Sequence, residues 1–186
     1  MRSILLASTL LALAPAAHAV PSQWSGNGHY YEFVSGSFIW TEARDAAASS
    51  SYMGFTGYLA TITSAGEQAF LDGLWPQDDP YWLGGSDAAA EGTWEWVTEP
   101  GGTVAFTFLN WRAGEPNNLG GEDYLHGWFS TAPGNQSNPN WNDSFEGSSY
   151  GYVVEYDAPA AIPVPASLPL LLAGAGLLAA LRRRHD

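Results

Sequence analysis

Fourteen residues, Asn110 to Asp123, read Asn-Trp-Arg-Ala-Gly-Glu-Pro-Asn-Asn-Leu-Gly-Gly-Glu-Asp. Gly114, Pro116, Gly120 and Gly121 interrupt both helical periodicity and strand alternation, so this stretch is loop. It nevertheless carries three carboxylates and several side-chain amides. Hard oxygen donors of this kind suit Ca2+. A second oxygen-rich run follows at Trp141-Asn142-Asp143. A loop this long in a compact domain is usually functional. The expectation is a scaffold that brings the two runs together around calcium.

Charge sharpens that expectation. The 186-residue chain has a formal charge of −13, and four of its six basic residues, Arg2, Arg182, Arg183 and Arg184, lie at the ends. Between Val20 and Pro165, Arg44 and Arg112 face 18 carboxylates (the chain's 19 less Asp186), a balance of −16. A surface this acidic repels phosphate backbones, which excludes nucleic acid as a partner. It suits divalent cations, although most of these acids serve only as a solvated surface. There is no Lys and no Cys. An exported domain without Cys must rely on core packing, and on metal where it has one.

The two ends read as processing signals. Residues 1–19 combine Arg2, an apolar run from Ile4 to Ala14 and Ala17-His18-Ala19, the pattern of a secretory signal peptide cleaved after Ala19. Residues 158–186 hold Pro163-Val164-Pro165-Ala166, the apolar run Leu168 to Leu181 and the cluster Arg182-Arg183-Arg184. The apolar run is short beside the ~20 residues of a usual membrane span, and the arginines fit a cytoplasmic stop. This tripartite end resembles the PEP-CTERM sorting signals of Gram-negative bacteria in their VPLPA-type form, with Val164 where the commonest form has Glu. The resemblance implies processing by an exosortase-like enzyme, transient anchoring in the inner membrane, and display at the cell surface or in the extracellular matrix. A plain C-terminal anchor is the alternative.

Residues 20–157 form the domain. His29 to Val34 alternates as a strand. Phe38 to Ala48 reads as an Ala-rich helix with Thr41 as its cap. Tyr58 to Ile62 is strand-like, and Ser64-Ala65-Gly66-Glu67 is a capping box before a second helix. From Tyr81 onward Gly, Pro, Asn and Trp dominate, with short strands at Tyr81–Gly84, Thr93–Val97 and Tyr152–Tyr156. Early helices with late short strands and long loops make an α+β domain.

The order of these pieces resembles a C-type lectin-like domain over about 130 residues, Asn27 to Asp157. The carriers are Leu59-Ala60-Thr61-Ile62 leading into the second helix, Trp82-Leu83-Gly84-Gly85, Gly114-Glu115-Pro116-Asn117, Trp141-Asn142-Asp143 and the closing strand. The resemblance implies two helices packed on short antiparallel strands with a long calcium-binding loop region. The family's paired cysteines are missing, and Tyr124 stands where one would fall, so no disulfides are expected. The gap from Asn117 to Glu122 is short, and Ser130 to Asn140 makes an enlarged polar loop.

Ca2+ takes about six to eight oxygens. Glu115, Asn117, Glu122, Asn142 and Asp143 offer three carboxylates and two amide carbonyls, which leaves positions for two vicinal sugar hydroxyls. Amides donate and carboxylates accept, so each hydroxyl can be satisfied in both directions. The resemblance assigns metal and sugar binding to these same five residues. It associates Glu-Pro-Asn with mannose-type sugars and makes Pro116 a candidate cis-proline. A surface turn at Glu115 to Asn118 is the alternative, since Gly, Pro and Asn are turn residues. Asp87 and Glu91, with Asn118, Glu122 and Asp123, form an auxiliary calcium candidate at the family's spacing. Two solvated loop acids are the plainer reading there.

Trp82, Trp94 and Trp96 lie in strand-like runs and are expected in the core, whereas Trp128 is the candidate for stacking on sugar. His29 and His126 are isolated and read as structural. No positioned nucleophile or phosphate loop supports an enzyme. The function expected is that of an exported, calcium-dependent, mannose-type carbohydrate-binding protein with an adhesive role, its partners glycans or extracellular polysaccharide. Protein–protein adhesion on the same fold, with calcium purely structural, is the alternative.

Overall fold

A computed structural model describes residues 20–74, 79–99, 102–128 and 141–157. Both terminal signals and the loop Ser130 to Asn140 lie outside the described residues. In chain order the elements are β1 (Ser22–Gln23), β2 (Tyr30–Phe38), α1 (Trp40–Ser49), β3 (Ser51–Tyr52), β4 (Phe55–Leu59) and α2 (Ala65–Leu74). Then come β5 (Pro80–Ser86), β6 (Glu95–Glu99), β7 (Gly102–Ala105), β8 (Tyr124–Trp128), β9 (Asn142–Ser144) and β10 (Tyr150–Tyr156).

The strands join in one branched sheet ordered β1-β2-β10-β5-β6-β7, with β3-β4 attached to β10 and β8-β9 attached to β5. The named strand pairs are antiparallel, as expected, with one exception. β10 runs parallel to β5, with Gly151 beside Tyr81 and Tyr152 beside Trp82. Both strands are apolar and covered on both faces, as parallel pairs generally are.

Strand alternation sorts these two strands into separate cores. Tyr81, Leu83 and Val153 point to one face, where they meet Leu71 of α2, Tyr31, Ile62, Leu125, Trp96 and Trp141. Trp82, Tyr152, Val154 and Tyr156 point to the other, where they meet Trp40, Ala43 and Ala47 of α1. Trp40, Ala43 and Ala47 fall at i, i+3 and i+7, one stripe of a helix. Two indoles lock α1 to the sheet: Trp40 Nε1 donates to Leu83 O at 2.8 Å, and Trp82 Nε1 donates to Phe38 O at 2.7 Å. Trp82 and Trp96 are fully buried in their strands, and Trp94, just before β6, packs against the first core, so all three join the core as expected. Each large apolar side chain buried in this way contributes about 1.5–3 kcal/mol. With no cysteine, no disulfide supports the fold.

Local expectations were met unevenly. Ile39, not Thr41, precedes the first turn of α1; its N–H donates to Glu42 Oε2 at 3.3 Å, while Thr41 lies inside the helix and donates to Glu146. Ser64 does cap α2, its Oγ accepting from Glu67 N at 3.2 Å. Glu67 completes the box one residue early, accepting from Thr63 N at 2.7 Å and Thr63 Oγ1 at 2.9 Å. Tyr31 also donates its hydroxyl to Glu67, which explains why this carboxylate turns inward and is wholly buried. β4 ends at Leu59 rather than Ile62, because the chain must bend past β5 into α2. At that crossing Gly84 N donates to Ala60 O at 2.9 Å, and a Cβ on Gly84 would lie 2.6 Å from Leu59 O. Among the described residues no helix is long and apolar enough to cross a membrane.

Candidate functional site

The two oxygen-rich runs meet through Trp141. Its N–H donates to Asn110 O at 3.0 Å, its carbonyl accepts from Arg112 N at 2.9 Å, and Trp111 and Trp141 form a parallel bridge. The Trp141 side chain is fully buried among Trp96, Phe106, Phe108 and Trp111. Its Nε1 donates to Gln68 Oε1 on α2 at 2.8 Å. The start of the acidic loop is thereby fixed beside the residue that precedes Asn142 and Asp143.

The loop then folds over Asp143. Glu115 N donates to Arg112 O at 3.0 Å, and the Glu115–Pro116 bond is cis. Asn117 donates its amide to Glu115 Oε2 and accepts from Leu119 N at 2.8 Å. Asn118 adopts the left-handed region, φ 48°, which short amide side chains tolerate by bonding locally. Its Oδ1 accepts from Glu122 N at 2.7 Å, and its own N–H donates to Asp143 Oδ2 at 2.6 Å. Glu122 Oε2 accepts from Leu119 N at 3.1 Å.

Adjacent strands deliver the remaining acids. Asp87 follows the end of β5, and its N–H donates to Asp123 O at 3.2 Å just before β8. Leu125 of β8 pairs with Asp143 of β9. Asp87 Oδ2 accepts from Gly92 N at 2.9 Å, closing the turn that carries Glu91.

The electrostatics converge on Asp143, which is fully buried. Partial burial and then the Asp143 charge hold the Glu115 carboxyl above its ordinary range, against the pull of Arg112. Burial, Asp143 and Glu115 do the same to Glu122, against the Leu119 N–H. Asp87 is raised by burial and by Asp123 and Asp143, and Glu91 by desolvation and by Asp87, Asp123 and Asp143. Asp143 Oδ1 and Asp87 Oδ1 are buried with no hydrogen-bond partner. A buried carboxylate oxygen without a donor, ringed by other carboxylates, is unfavourable unless a cation compensates it. The donor set is all oxygen, so the residues present fit a hard divalent ion.

The Lectin C-type domain family matches residues 36–154. The chain belongs to the C-type lectin family. It is 38% identical to Halomucin of Haloquadratum walsbyi over 140 residues, 70% of this chain and 1% of that one. It is 34% identical to a perlucin-like protein of Mytilus galloprovincialis over 104 residues, 54% of this chain. It spans 60% of that protein, so each of these relatives is matched in part only. Among solved structures, the cow C-type carbohydrate-recognition domain of CD23, determined in the presence of a GlcNAc2Man3 oligosaccharide, is 28% identical with a TM-score of 0.55. The match covers 78% of this chain and 97% of that one. The matched domain is of a non-enzymatic kind, and family membership suggests carbohydrate as the ligand class.

For a C-type lectin domain the expected residues are placed unevenly. Glu115, Asn117, Asn118 and Glu122 line one loop around Asp143, and Asp87, Glu91 and Asp123 border the same acid. Asn142 turns elsewhere: its Nδ2 lies 3.2 Å from His126 Nε2 and also donates to Asp143 O. Among the described residues no hydrogen bond joins its side chain to the 115–122 loop. His126 is thus a support for Asn142 that sequence reading missed. Burial pushes its pKa down to about 4, so it stays neutral at physiological pH and its Nε2 can accept from Asn142. Trp128, the expected stacking residue, has Arg112 over its ring at 5.1 Å and His126 edge-on at 4.3 Å.

Proposed function

We propose that this C-type lectin domain is an exported, calcium-dependent carbohydrate-binding module that prefers mannose-type ligands. The observation that carries the reading is the convergence of Glu115, Glu122, Asp87 and Glu91 on a buried Asp143 whose Oδ1 has no partner. Calcium, when bound, would supply an electrophilic centre for two sugar hydroxyls. Glu115, Asn117, Glu122, Asn142 and Asp143 would hold it, with an auxiliary ion at Asp87, Glu91, Asn118, Glu122 and Asp123.

The chain's own residues set the order of donors and acceptors. Leu119 N–H occupies the Asn117 carbonyl oxygen, which leaves the Asn117 amide hydrogens facing Glu115. A hydroxyl arriving there meets an acceptor before Pro116 and a donor after it. That order supports vicinal equatorial hydroxyls of the mannose type. His126 holds Asn142, and the Gln68–Trp141 contact holds the loop base.

The cellular role proposed is adhesion or matrix attachment at the surface of a Gram-negative bacterium. The domain would span residues 20–157, released from a signal peptide at 1–19. Residues 158–186 would serve as an exosortase substrate that anchors transiently in the inner membrane. The test is binding to immobilised mannose and galactose in calcium and in chelator. Calcium-dependent retention on mannose supports the reading, and preference for galactose overturns the specificity. Absence of binding across a glycan array, with calcium still raising the melting temperature, transfers the role to protein–protein adhesion.

A further inference from the structure

We propose that His29, Glu155 and Asp157 form a second metal site, for a divalent transition-metal ion of the zinc class. The three share no residue with the calcium cluster. Their ligand atoms all lie within 4.8 Å of one another, with His29 Nδ1 2.7 Å from Glu155 Oε1 and 3.2 Å from Asp157 Oδ1. Zinc bonds of about 2.0–2.2 Å at tetrahedral angles place neighbouring ligand atoms roughly 3.3 Å apart. The His29–Asp157 separation already matches that spacing, and His29–Glu155 has to open by about 0.6 Å to admit the ion.

The ligands are held from outside. His29 N donates to Asn27 Oδ1 at 2.8 Å, and His29 O accepts from Trp24 N at 2.9 Å, so the backbone carrying the imidazole is fixed on both sides. Glu155 Oε2 accepts from Thr61 N at 2.9 Å and Thr61 Oγ1 at 3.0 Å, which turns Oε1 toward His29. Tyr58 donates its hydroxyl to Asp157 Oδ1. Such outer partners orient metal ligands and sharpen affinity. His29 is 27% exposed and Asp157 64% exposed, which gives an ion access, whereas Glu155 is buried at 2%.

Proton supply is short here. Tyr31 lies between two buried carboxylates, and its single hydroxyl hydrogen is donated to Glu67. The same oxygen stands 3.1 Å from Glu155 Oε1 with no second hydrogen to offer. The single Nδ1 hydrogen of His29 likewise faces two carboxylates. A divalent ion in place of that hydrogen would satisfy both oxygens at once. An imidazole beside carboxylates selects zinc-class ions over Ca2+, which prefers all-oxygen sets.

Position gives the site a consequence. Tyr156 pairs with Tyr30, so the ion would tie the start of β2 to the end of β10 across 126 residues. In a chain without cysteine, such a clasp would restrain a loop as long as a disulfide could.

The test is isothermal titration of the full chain with zinc chloride in excess calcium, together with thermal melting. One zinc equivalent and a raised melting temperature are expected. His29→Gln should weaken zinc binding at least tenfold and leave the calcium response unchanged. Asp157→Asn, at an exposed position, should do the same without lowering stability in chelator, and it serves if His29→Gln does not fold. Absence of zinc binding, or equal zinc affinity in wild type and in the folded variants, overturns the proposal.

Discussion

Asp143→Asn should change stability in opposite directions with and without calcium. Asp143 is a buried carboxylate with one oxygen on Asn118 N–H and the other without a protein hydrogen-bond partner among the described residues. Its charge raises Glu115, Glu122, Asp87 and Glu91. Asparagine keeps the shape and the acceptor for Asn118, removes the charge, and offers amide hydrogens to carboxylates that lack donors. Relieving an unpartnered buried oxygen is worth about 1–3 kcal/mol, so the calcium-free variant should be as stable as wild type or more so. With calcium at a hundredfold excess over Kd, wild type gains about 2.7 kcal/mol, and the variant should lose most of that gain. For a domain of this size about 1 kcal/mol corresponds to roughly 3–4 °C in melting temperature. Wild type should therefore rise by about 10 °C on adding calcium and Asp143→Asn by a small fraction of that. Differential scanning calorimetry of both proteins in EDTA and in calcium reads all four values. Should the variant be destabilised in EDTA yet keep the full calcium increment, Asp143 is a structural acceptor and the ion-site reasoning fails.

Glu115→Gln combined with Asn117→Asp reverses donor and acceptor about Pro116 at unchanged net charge. It should shift preference from mannose toward galactose by about tenfold in a direct binding assay, the equivalent of about 1.4 kcal/mol. Acid should erode the calcium response. The protein groups around them hold Glu115, Glu122 and Asp87 above ordinary values, so folding in the absence of added calcium should favour their protonated forms. That contribution is complete below the ordinary carboxylate pKa of about 4 and is lost as pH rises through the raised folded values. Calcium needs the ionised forms, so the melting-temperature gap between calcium and EDTA should widen as pH rises through that window; a gap independent of pH would contradict the assignment. Gln68→Ala strands the Trp141 indole N–H in the core and should cost about 1–3 kcal/mol in denaturant unfolding, weakening calcium binding as well because Trp141 anchors the loop. Intact-mass analysis of native surface material should show a chain that starts near Val20 and has lost the segment after about Pro165. Retention of Leu168 to Arg184 throughout would indicate an ordinary anchor.

Which residues carry oxygen donors was legible because Gly114, Pro116, Gly120 and Gly121 forbid regular structure around them. What holds those donors in place was not, because the holding contacts are main-chain bonds between segments far apart in sequence. Asn142 and Asp143 stand out in the sequence only as part of an oxygen-rich run, yet they belong to a three-residue strand whose existence depends on β8. A strand that short has no periodicity to detect. β5 and β10 announced themselves as apolar runs, but residues buried on both faces do not reveal pairing direction, and the parallel register of Gly151 with Tyr81 is set by packing alone. That pairing matters for the site. β10 holds one edge of β5, while the other edge takes β8, and β9 adds to β8. Asp87 leaves the end of β5, Asp123 precedes β8, and Asp143 sits on β9, so three successive strands of one ladder each bring a carboxylate to the same place. The Glu115–Glu122 loop joins them through Trp141 and Asn118 instead. The two halves of the candidate ion site thus have separate supports. Damage to the Gln68–Trp141 anchor should loosen Glu115, Asn117 and Glu122 while leaving Asp87, Asp123 and Asp143 in register.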